Sequence, residues 1–279
     1  VLTRMIQSDP ELPGVACLIF DEIHERALTA DLGLALALEI RAALRPDLRL
    51  LVMSATLDTG PIARVLGDVP VLTSAGRAYP VTVEYRPPPR HRDLTDHVVA
   101  TVREALQSQS GSLLVFLPGA GEIRRVVRAL TGQLPPSVRL APLYGNLQAE
   151  VQDQAIAPAP EGQRKVVLAT AIAETSLTID GVRVVIDAGL QRRAVFDPNS
   201  GMTRLVTGRV SRASAEQRKG RAGRLEPGVC YRLWSESEQF GLAEFTPPEI
   251  QVADLAPLVL ELAQWGARQP DQVAWVDAP

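Results

Sequence analysis

Short apolar runs alternate along this chain with stretches in which apolar residues recur at helical spacing. The strand-like runs are Val15 to Phe20, Leu48 to Ala55, Ser112 to Leu117, Val138 to Leu143, Lys165 to Thr170 and Val182 to Asp187. The helical patterns are Ala30 to Leu44, Thr95 to Gln107 and Gly121 to Leu130. Because this alternation is typical of βαβ units, the sequence predicts an α/β fold built on parallel sheets.

A proline-rich stretch from Tyr79-Pro80 to Arg86-Pro87-Pro88-Pro89-Arg90 interrupts the alternation. Proline forbids a helix there and favours an extended segment. Since the alternation restarts afterwards, the sequence predicts two similar α/β units with a boundary near residue 79. We expect the first of these units to lack its opening strands in this sequence. Further on, Glu249 through Trp265 carries an apolar stripe at helical spacing, which favours packing over a site.

The composition is that of an ordinary globular protein of one or two domains, since 46% of the 279 residues are hydrophobic and 22% are charged. No apolar stretch is long enough to span a membrane, so no membrane partner is expected. A net charge of −3 argues against a wholly basic surface, although nucleic-acid binding needs only a local basic face. Cys17 and Cys230 lie in apolar runs and match no metal-ligand spacing. We therefore expect buried thiols in a reducing compartment, the cytoplasm.

The segment Asp21-Glu22-Ile23-His24-Glu25-Arg26 places two acids directly after Val15 to Phe20, a run that we interpret as a strand buried on both faces. Open α/β sheets bind ligands at the carboxyl ends of their strands. In phosphoryl transfer, an Asp at such a place holds Mg²⁺ and a neighbouring Glu orients or deprotonates the attacking water. A strand that ends in a solvated acidic turn is the alternative interpretation.

A second motif is Gln217-Arg218-Lys219-Gly220-Arg221-Ala222-Gly223-Arg224. On one helix, Gln217, Arg221 and Arg224 share a face, so both guanidiniums would project together. The glycines remove bulk and allow another surface to approach closely, although each lowers helix stability by about 1 kcal/mol. The pattern predicts two arginine fingers directed at a terminal phosphate. A plain charged surface helix is the alternative, but it needs no glycines.

Two other strand-like runs are followed by hydroxyl-bearing residues. Ser54 and Thr56 follow the apolar residues Leu50 to Met53, so their hydroxyls are expected at a neighbouring strand end within reach of His24. The segment from Thr170 to Gly181 follows the apolar residues Val166 to Leu168, and its hydroxyl and backbone N–H groups are suitable donors to phosphate. Taken separately, such residues most often form helix caps or turns, and that alternative stays open for each.

A β-hairpin is predicted over residues 192–206. The sequence Asp197-Pro198-Asn199-Ser200-Gly201 is a strong turn signal between two runs of partly alternating polarity.

Four motifs occur in order and at suitable spacing, and together they resemble the DEAH-box branch of the superfamily 2 helicases, most closely the bacterial HrpB-type ATP-dependent RNA helicases. The motifs are Asp21 to His24, Ser54 to Thr56, Ala169 to Gly181 and Gln217 to Arg224. The resemblance covers nearly the whole chain. It implies an ATP-dependent enzyme that translocates on RNA and unwinds it.

In fold, the resemblance implies two RecA-like parallel-sheet domains. Residues 1–79 would be the C-terminal part of the first, ATP-binding domain, and residues 80–235 would be the second domain, the helicase C-terminal domain. Residues 236–279 would begin a helical winged-helix region. The cofactors would be ATP and Mg²⁺, bound between acids of the first domain and arginines of the second.

The resemblance also implies roles for individual residues near the nucleotide. Asp21 would bind the metal ion together with Glu22, which would activate the lytic water, and His24 would couple this site to the second domain. The remaining nucleotide residues would be Ser176 as a sensor of the γ-phosphate, Thr178 and Asp180 beside the nucleotide, Gln217 orienting the water, and Arg221 and Arg224 as fingers. Ser54 and Thr56 would link hydrolysis to strand separation.

Single-stranded or partly duplex RNA is the implied partner, held mainly through its backbone. The position of Thr170 touches the nucleic-acid backbone in the family, and a hairpin at the matching place abuts the bound strand. Arg192, Arg193 and Arg204 would then face phosphates, or the hairpin would only pack on its domain.

Three departures from the family pattern are present. Ile23 replaces an alanine and Ala171 replaces an asparagine. No Gly-x-x-x-x-Gly-Lys-Ser/Thr occurs, and only 20 residues precede Asp21, which indicates truncation of the phosphate-binding loop. We therefore expect this chain alone to be nearly inactive. A DNA-directed superfamily 2 translocase and a non-catalytic RecA-like binding module are the alternative functions.

Overall fold

A computed structural model describes residues 1–55, 60–74, 76, 79–91, 93–174 and 177–279. The α-helices are α1 Leu2–Ser8, α2 Leu28–Ala43, α3 Gly60–Val65, α4 Leu94–Ser108, α5 Ala120–Leu130, α6 Ala149–Ile156, α7 Arg212–Gly220, α8 Glu236–Phe240 and α9 Ala256–Trp265. The strands are β1 Cys17–Phe20, β2 Arg49–Val52, β3 Val81–Tyr85, β4 Ser112–Phe116, β5 Val138–Leu143, β6 Arg164–Ala169, β7 Val182–Asp187, β8 Leu190–Asp197, β9 Met202–Arg209 and β10 Gly228–Arg232. Short 3₁₀ helices cover Ile23–Glu25, Ala171–Ala173, Arg221–Gly223, Glu249–Gln251 and Pro270–Gln272.

The chain divides into two compact units. Unit 1 comprises Val1–Ser74, Ala194–Leu205 and Pro247–Pro279, and unit 2 comprises Ala75–Arg193 and Val206–Thr246. The limits 1–79, 80–235 and 236–279, and a winged-helix region in the last of these, stay predictions.

Unit 2 is built on a parallel sheet, which in the described part of the chain has six strands in the order β3-β10-β7-β4-β6-β5. The central strand β4 is buried at every position, and β6 and β7 are buried at all but one. Alternate residues of these strands enter two apolar clusters on opposite faces: Leu113 and Val115 lie in one, Leu114 and Phe116 in the other. Burial on both faces explains the nearly continuous apolar runs. The predicted α/β fold with a parallel sheet is confirmed.

The proline-rich stretch supplies an edge strand of this sheet. Strand β3 pairs with β10 and lies between Pro80 and the prolines that begin at Pro87. Proline is tolerated there because it stands outside the hydrogen-bonded ladder of the strand.

Unit 1 contains the parallel pair β1 and β2, with Phe20 beside Val52. Helix α2 packs on one face of this pair, where Leu18 and Phe20 contact its apolar side. The prediction that β1 is buried on both faces is wrong: Cys17 is exposed and Ile19 is 60% exposed, because no described element covers the second face. The prediction of a buried thiol is therefore wrong for Cys17, and it is confirmed for Cys230, which is buried in β10.

The C-terminal segment of unit 1 packs on α1 and α2. Ile250, Leu258 and Leu262 are each at most 3% exposed and share a cluster with Ile6 and Leu36. The apolar stripe of this segment is therefore a packing surface, as expected.

The predicted hairpin is formed by β8 and β9. Its turn is closed by the N–H groups of Ser200 and Gly201, which both donate to the carbonyl oxygen of Asp197, and Gly201 adopts a positive φ of 65°. None of the described helices is both long and apolar enough to cross a bilayer.

Candidate active site

Asp21 and Glu22 lie at the carboxyl end of β1. The Asp21 Oδ1 accepts a hydrogen bond from the Glu22 N–H at 2.9 Å, and Glu22 adopts the left-handed conformation with φ 50°. Ile23 is 1% exposed and anchors the following 3₁₀ turn in the core, while its N–H donates to the Met53 carbonyl at the end of β2. Both carboxylates therefore stand at the edge of the sheet where α/β proteins bind ligands.

His24 connects the acids to the end of β2. Its side chain is 7% exposed, and its Nδ1 lies 3.4 Å from Glu22 Oε2 and 3.2 Å from the backbone nitrogen of Ala55. When Nδ1 accepts from the Ala55 N–H, the proton is on Nε2, which is buried and has no partner among the described residues. When Nδ1 carries the proton, it can donate to Glu22 instead. The protonation of Nδ1 thus determines whether this atom hydrogen-bonds to the Glu22 carboxylate or to the Ala55 N–H.

Of the residues expected to couple the sites, Ser54 adjoins this contact through Ala55, the next residue along the chain. Thr56 lies outside the described residues.

The acids fit a magnesium ion of the kind that phosphoryl-transfer enzymes use. Among the described residues, no group of three or more His, Cys, Asp or Glu side chains is arranged to hold a metal. Mg²⁺ does not require one, because it keeps several of its waters and is bound by one or two carboxylates together with substrate phosphates. Asp21 is exposed and Glu22 is half-buried, so both are accessible to a hydrated ion.

The motif around Gln217 does not form one continuous α-helix. Helix α7 ends at Gly220 and continues as the 3₁₀ turn Arg221–Gly223. As a result, Arg221 is 6% exposed whereas Arg224 is exposed. The expectation that both guanidiniums project together from one helix face is not met, while Gln217 is half-buried on α7.

The two arginines contact the segment that follows β6. Arg221 donates to the carbonyl oxygen of Leu177 at 2.6 Å and from Nε to that of Glu174 at 2.8 Å. Arg224 donates to the Thr178 hydroxyl at 2.6 Å. The structure therefore brings together two of the sequence motifs, one on each side of these hydrogen bonds.

The close approach expected at the glycines occurs at one of them. A Cβ atom on Gly223 would lie 2.6 Å from the Tyr79 carbonyl oxygen, and the Gly223 carbonyl accepts from the Tyr79 N–H at 2.9 Å. A Cβ atom on Gly220 would meet nothing within 4 Å.

Arg218, between the predicted residues, forms a buried ionic cluster that the sequence analysis missed. Its guanidinium lies 2.9 Å from Asp187, 3.0 Å from Glu174 and 4.9 Å from the centre of the Phe116 ring. Burial opposes the charge on Arg218, but the two acids outweigh it and raise the pKa of the guanidinium above its ordinary value. The available signal was Asp187, a charged residue at the end of a buried strand, which requires a partner.

The remaining residues of the loop after β6 differ in exposure. Thr170 is half-buried and its N–H donates to the Leu143 carbonyl at 3.2 Å. Thr178 and Asp180 are exposed, and Ser176 lies outside the described residues. Lys165, next to this loop, has a lowered pKa because burial outweighs the opposing charge of Asp180.

The hairpin arginines are mostly held by acids. Arg192 lies 3.2 Å from Glu122 Oε1 and donates to the Thr207 hydroxyl at 3.2 Å, and Arg204 pairs with Asp197 beside the turn. Arg193 is half-buried, and its side chain forms no hydrogen bond or ion pair with the described residues. The paired guanidiniums keep 37% and 61% of their side-chain surface exposed, so they can still contact a phosphate.

Comparisons with known proteins agree with these motifs. Residues 96–226 match the helicase conserved C-terminal domain family. Over 279 residues the chain is 53% identical to ATP-dependent RNA helicase HrpB of Escherichia coli strain K12, and the match covers 100% of this chain and 34% of that protein. It is 38% identical over 292 residues to the probable ATP-dependent RNA helicase DHX34 of Mus musculus, covering 100% of this chain and 25% of that one.

The fold is also similar to a solved structure. The crystal structure of the Escherichia coli DEAH/RHA helicase HrpB matches with a TM-score of 0.95 and 52% identity, covering 100% of this chain and 36% of that chain. The chain spans about a third of the length of HrpB. The predicted family and the RecA-like fold are thereby confirmed.

Proposed function

From the premise that the chain belongs to the DEAH-box RNA helicases, of which it spans a part, we propose that it carries machinery for coupling ATP hydrolysis to movement along RNA and unwinding of RNA. The observation that carries the proposal is the contact of His24 with both Glu22 and Ala55. It joins the acids at one strand end to a second helicase motif at the next strand end. An acidic turn with no function would not need that connection.

Asp21 and Glu22 would hold Mg²⁺, which when bound to ATP neutralises charge on the phosphates. The Glu22 carboxylate would accept a proton from the attacking water, because it stands beside Asp21 and is only partly exposed. His24 would control the ability of Glu22 to accept this proton, since a hydrogen bond from Nδ1 to the Glu22 carboxylate would compete with the attacking water. Ser54 and Thr56 would pass the change to the rest of the protein.

Arg224 would neutralise the charge that develops on the terminal phosphate, and its exposure supports that role. Arg221 would act with it and, through its bonds to Glu174 and Leu177, would hold the neighbouring loop. Ser176, Thr178 and Asp180 of that loop would lie beside the nucleotide, and Gln217 would orient the attacking water.

RNA is the proposed substrate, single-stranded or partly duplex, with Thr170, Arg192, Arg193 and Arg204 contacting its backbone. Exposed guanidiniums on the hairpin support this proposal, because phosphate contacts from arginine do not depend on base sequence. We place the activity in the cytoplasm.

The test is steady-state ATPase activity of the full-length protein that carries this chain, with and without RNA. Glu22→Gln should reduce turnover at least about 100-fold and leave ATP binding intact, because the amide keeps the shape of the side chain but cannot take a proton. Glu39→Gln is the matched control, since Glu39 lies on α2 and its side chain forms no ion pair or hydrogen bond with the described residues, and it should leave turnover unchanged.

Unchanged turnover in Glu22→Gln would overturn the role of Glu22. Stimulation by single-stranded DNA of the same sequence, without stimulation by RNA, would overturn the choice of RNA. Absence of ATP hydrolysis by the full-length wild-type protein would favour a non-catalytic binding module.

A further inference from the structure

Glu249 contacts the backbone at both ends of a short segment that follows the acids. Its N–H donates to the Arg26 carbonyl oxygen at 3.0 Å, and its Oε2 accepts from the Leu28 N–H at 2.7 Å. These contacts join residues more than 200 positions apart in the sequence, within unit 1. They hold the chain on both sides of Ala27.

The contact with Leu28 completes the start of helix α2. Leu28 is the first residue of α2, and its N-cap Ala27 has no side chain able to accept a hydrogen bond. The Glu249 carboxylate accepts from one of the N–H groups that the helix leaves unpaired, and its negative charge lies at the positive end of the helix dipole. A distant residue thus performs the task that a local Ser, Thr or Asp usually performs.

Arg26 is fixed from the same direction. It adopts a left-handed conformation with φ 52°, and its guanidinium lies 3.0 Å from Asp31 and 2.6 Å from Asp277. Asp277, like Glu249, belongs to the C-terminal segment of unit 1. That segment therefore holds both the side chain and the carbonyl of the residue that ends the Asp21–Arg26 loop.

The turn that contains Glu249 also binds the hairpin. The Val252 carbonyl accepts from the Phe196 N–H on β8 at 2.8 Å. The N–H groups of Val252 and Ala253 both donate to the Glu249 carbonyl, and Ile250 is 1% exposed in the core, so the turn is a small rigid element. One element thus contacts the hairpin tip on one side and the end of the acid loop on the other.

We propose that Glu249 is a positioning residue for Asp21 and Glu22, and that the turn Glu249–Val252 transmits displacement of the hairpin to these acids. The role of the acids rests on the function proposed above, whereas the mechanical link does not. Displacing the hairpin would pull on the Val252 carbonyl and, through the closed turn, on the two hydrogen bonds that Glu249 makes. The Asp21–Arg26 loop would then change its conformation although no ligand contacts the loop itself.

The first experiment compares Glu249→Ala with Glu249→Gln in the RNA-stimulated ATPase of the full-length protein. Removing the acceptor should lower kcat about tenfold while KM for ATP changes less than about twofold, because the acids are displaced but the contacts of the arginines and of the loop after β6 with the nucleotide remain. The glutamine variant keeps an oxygen acceptor for the Leu28 N–H and should recover most of the rate. Gln251→Ala is the control, since Gln251 is exposed in the same turn and its side chain has no hydrogen bond to the described residues.

The second experiment follows amide hydrogen exchange of residues 21–28 in the same protein. Phe196→Pro removes the N–H that donates to Val252 and should speed exchange in this peptide several-fold, whereas Phe196→Leu keeps the N–H and should not. In a double-mutant cycle, adding Phe196→Pro to Glu249→Ala should increase the exchange rate of residues 21–28 little further, because both substitutions break the same link.

The two proposals fail in different ways. If wild type hydrolyses ATP but the Glu249 and Phe196 variants leave both kcat and exchange unchanged, the positioning role is wrong. If wild type shows no RNA-stimulated hydrolysis while Phe196→Pro still speeds exchange at residues 21–28, the link is present and the proposed function is wrong. A decrease of kcat in Glu249→Gln equal to that in Glu249→Ala would also contradict the role of the carboxylate as acceptor.

Discussion

The Arg218 guanidinium and the Asp187 carboxylate form an ion pair of 2.9 Å that is closed to solvent, with 1% and 0% of the two side chains exposed. The pair joins α7 to the end of β7, and Glu174 extends it to the segment after β6. Asp187 Oδ1 also accepts from the Gly189 N–H at 2.8 Å. A cluster of this kind holds three elements in one arrangement.

We expect Arg218→Ala to destabilise unit 2 by about 3–5 kcal/mol, because it leaves a buried carboxylate without its partner. Urea unfolding followed by circular dichroism measures the change. Arg128→Ala on the exposed side of α5 is the control and should change stability by less than about 0.5 kcal/mol. Equal stability of wild type and Arg218→Ala would mean that the pair contributes nothing to the fold.

The different environments of Arg221 and Arg224 predict different phenotypes. Arg224→Ala should reduce ATPase turnover by about 10³-fold, the lower range for an arginine finger, without a change in melting temperature, because the residue is exposed. Arg221→Ala should reduce both the ATPase turnover and the melting temperature, because the Arg221 guanidinium binds the Glu174 and Leu177 carbonyls. Turnover and thermal unfolding of the full-length protein are measured together.

Arg212→Ala, at the start of the preceding helix α7, is the matched control, since the ion pair of Arg212 with Glu244 is long, at 3.8 Å, and exposed. A fall in melting temperature in Arg224→Ala as large as that in Arg221→Ala would contradict this division of roles.

Periodicity was sufficient to predict β4, β5, β6 and β7 of the sheet of unit 2 and the position of the acids after β1, but not the edge strand β3, its neighbour β10 or the strand order. The runs that form β4, β6 and β7 are almost continuously apolar because both faces of these strands are covered. Exposure of Cys17 and Ile19 could not be predicted the same way, since an apolar run does not say whether a helix covers its second face.

The partners of the charged side chains could not be predicted from the sequence for a different reason. The segment from Arg218 to Arg224 offers four basic side chains, and only the fold determines that Arg218 meets Asp187 while Arg224 stays exposed. The same holds for Arg192, whose partner Glu122 is 70 residues away in sequence.

The two thiols should differ in reactivity. Burial raises the pKa of Cys230 to about 12, so almost no thiolate forms at neutral pH, and the side chain is also closed to reagents. Cys17 is exposed on β1. Treatment of this chain with iodoacetamide, followed by mass spectrometry, should therefore modify Cys17 first. Cys230 should react only in denaturant, and its modification at the rate of Cys17 in the folded chain would contradict the burial of β10.

Gly223 and Gly220 offer a matched pair of substitutions three residues apart. A Cβ atom on Gly223 would overlap the Tyr79 carbonyl oxygen and the Val81 side chain, each 2.6 Å away, so the start of β3 or the 3₁₀ turn must move. We expect Gly223→Ala to destabilise unit 2 by about 1–3 kcal/mol, as overpacking does. Gly220→Ala meets open space at the end of α7 and should stabilise it by about 0.5–1 kcal/mol.

Because both changes add one methyl group to the same motif, intrinsic helix propensity favours alanine in each. Opposite signs in urea unfolding therefore isolate the steric contact between Gly223 and Tyr79. A stabilising Gly223→Ala would show that the approach of Tyr79 to this turn is looser than 2.6 Å implies. If Gly223→Ala also slows ATP hydrolysis while Gly220→Ala does not, the displaced turn has carried Arg221 and Arg224 with it.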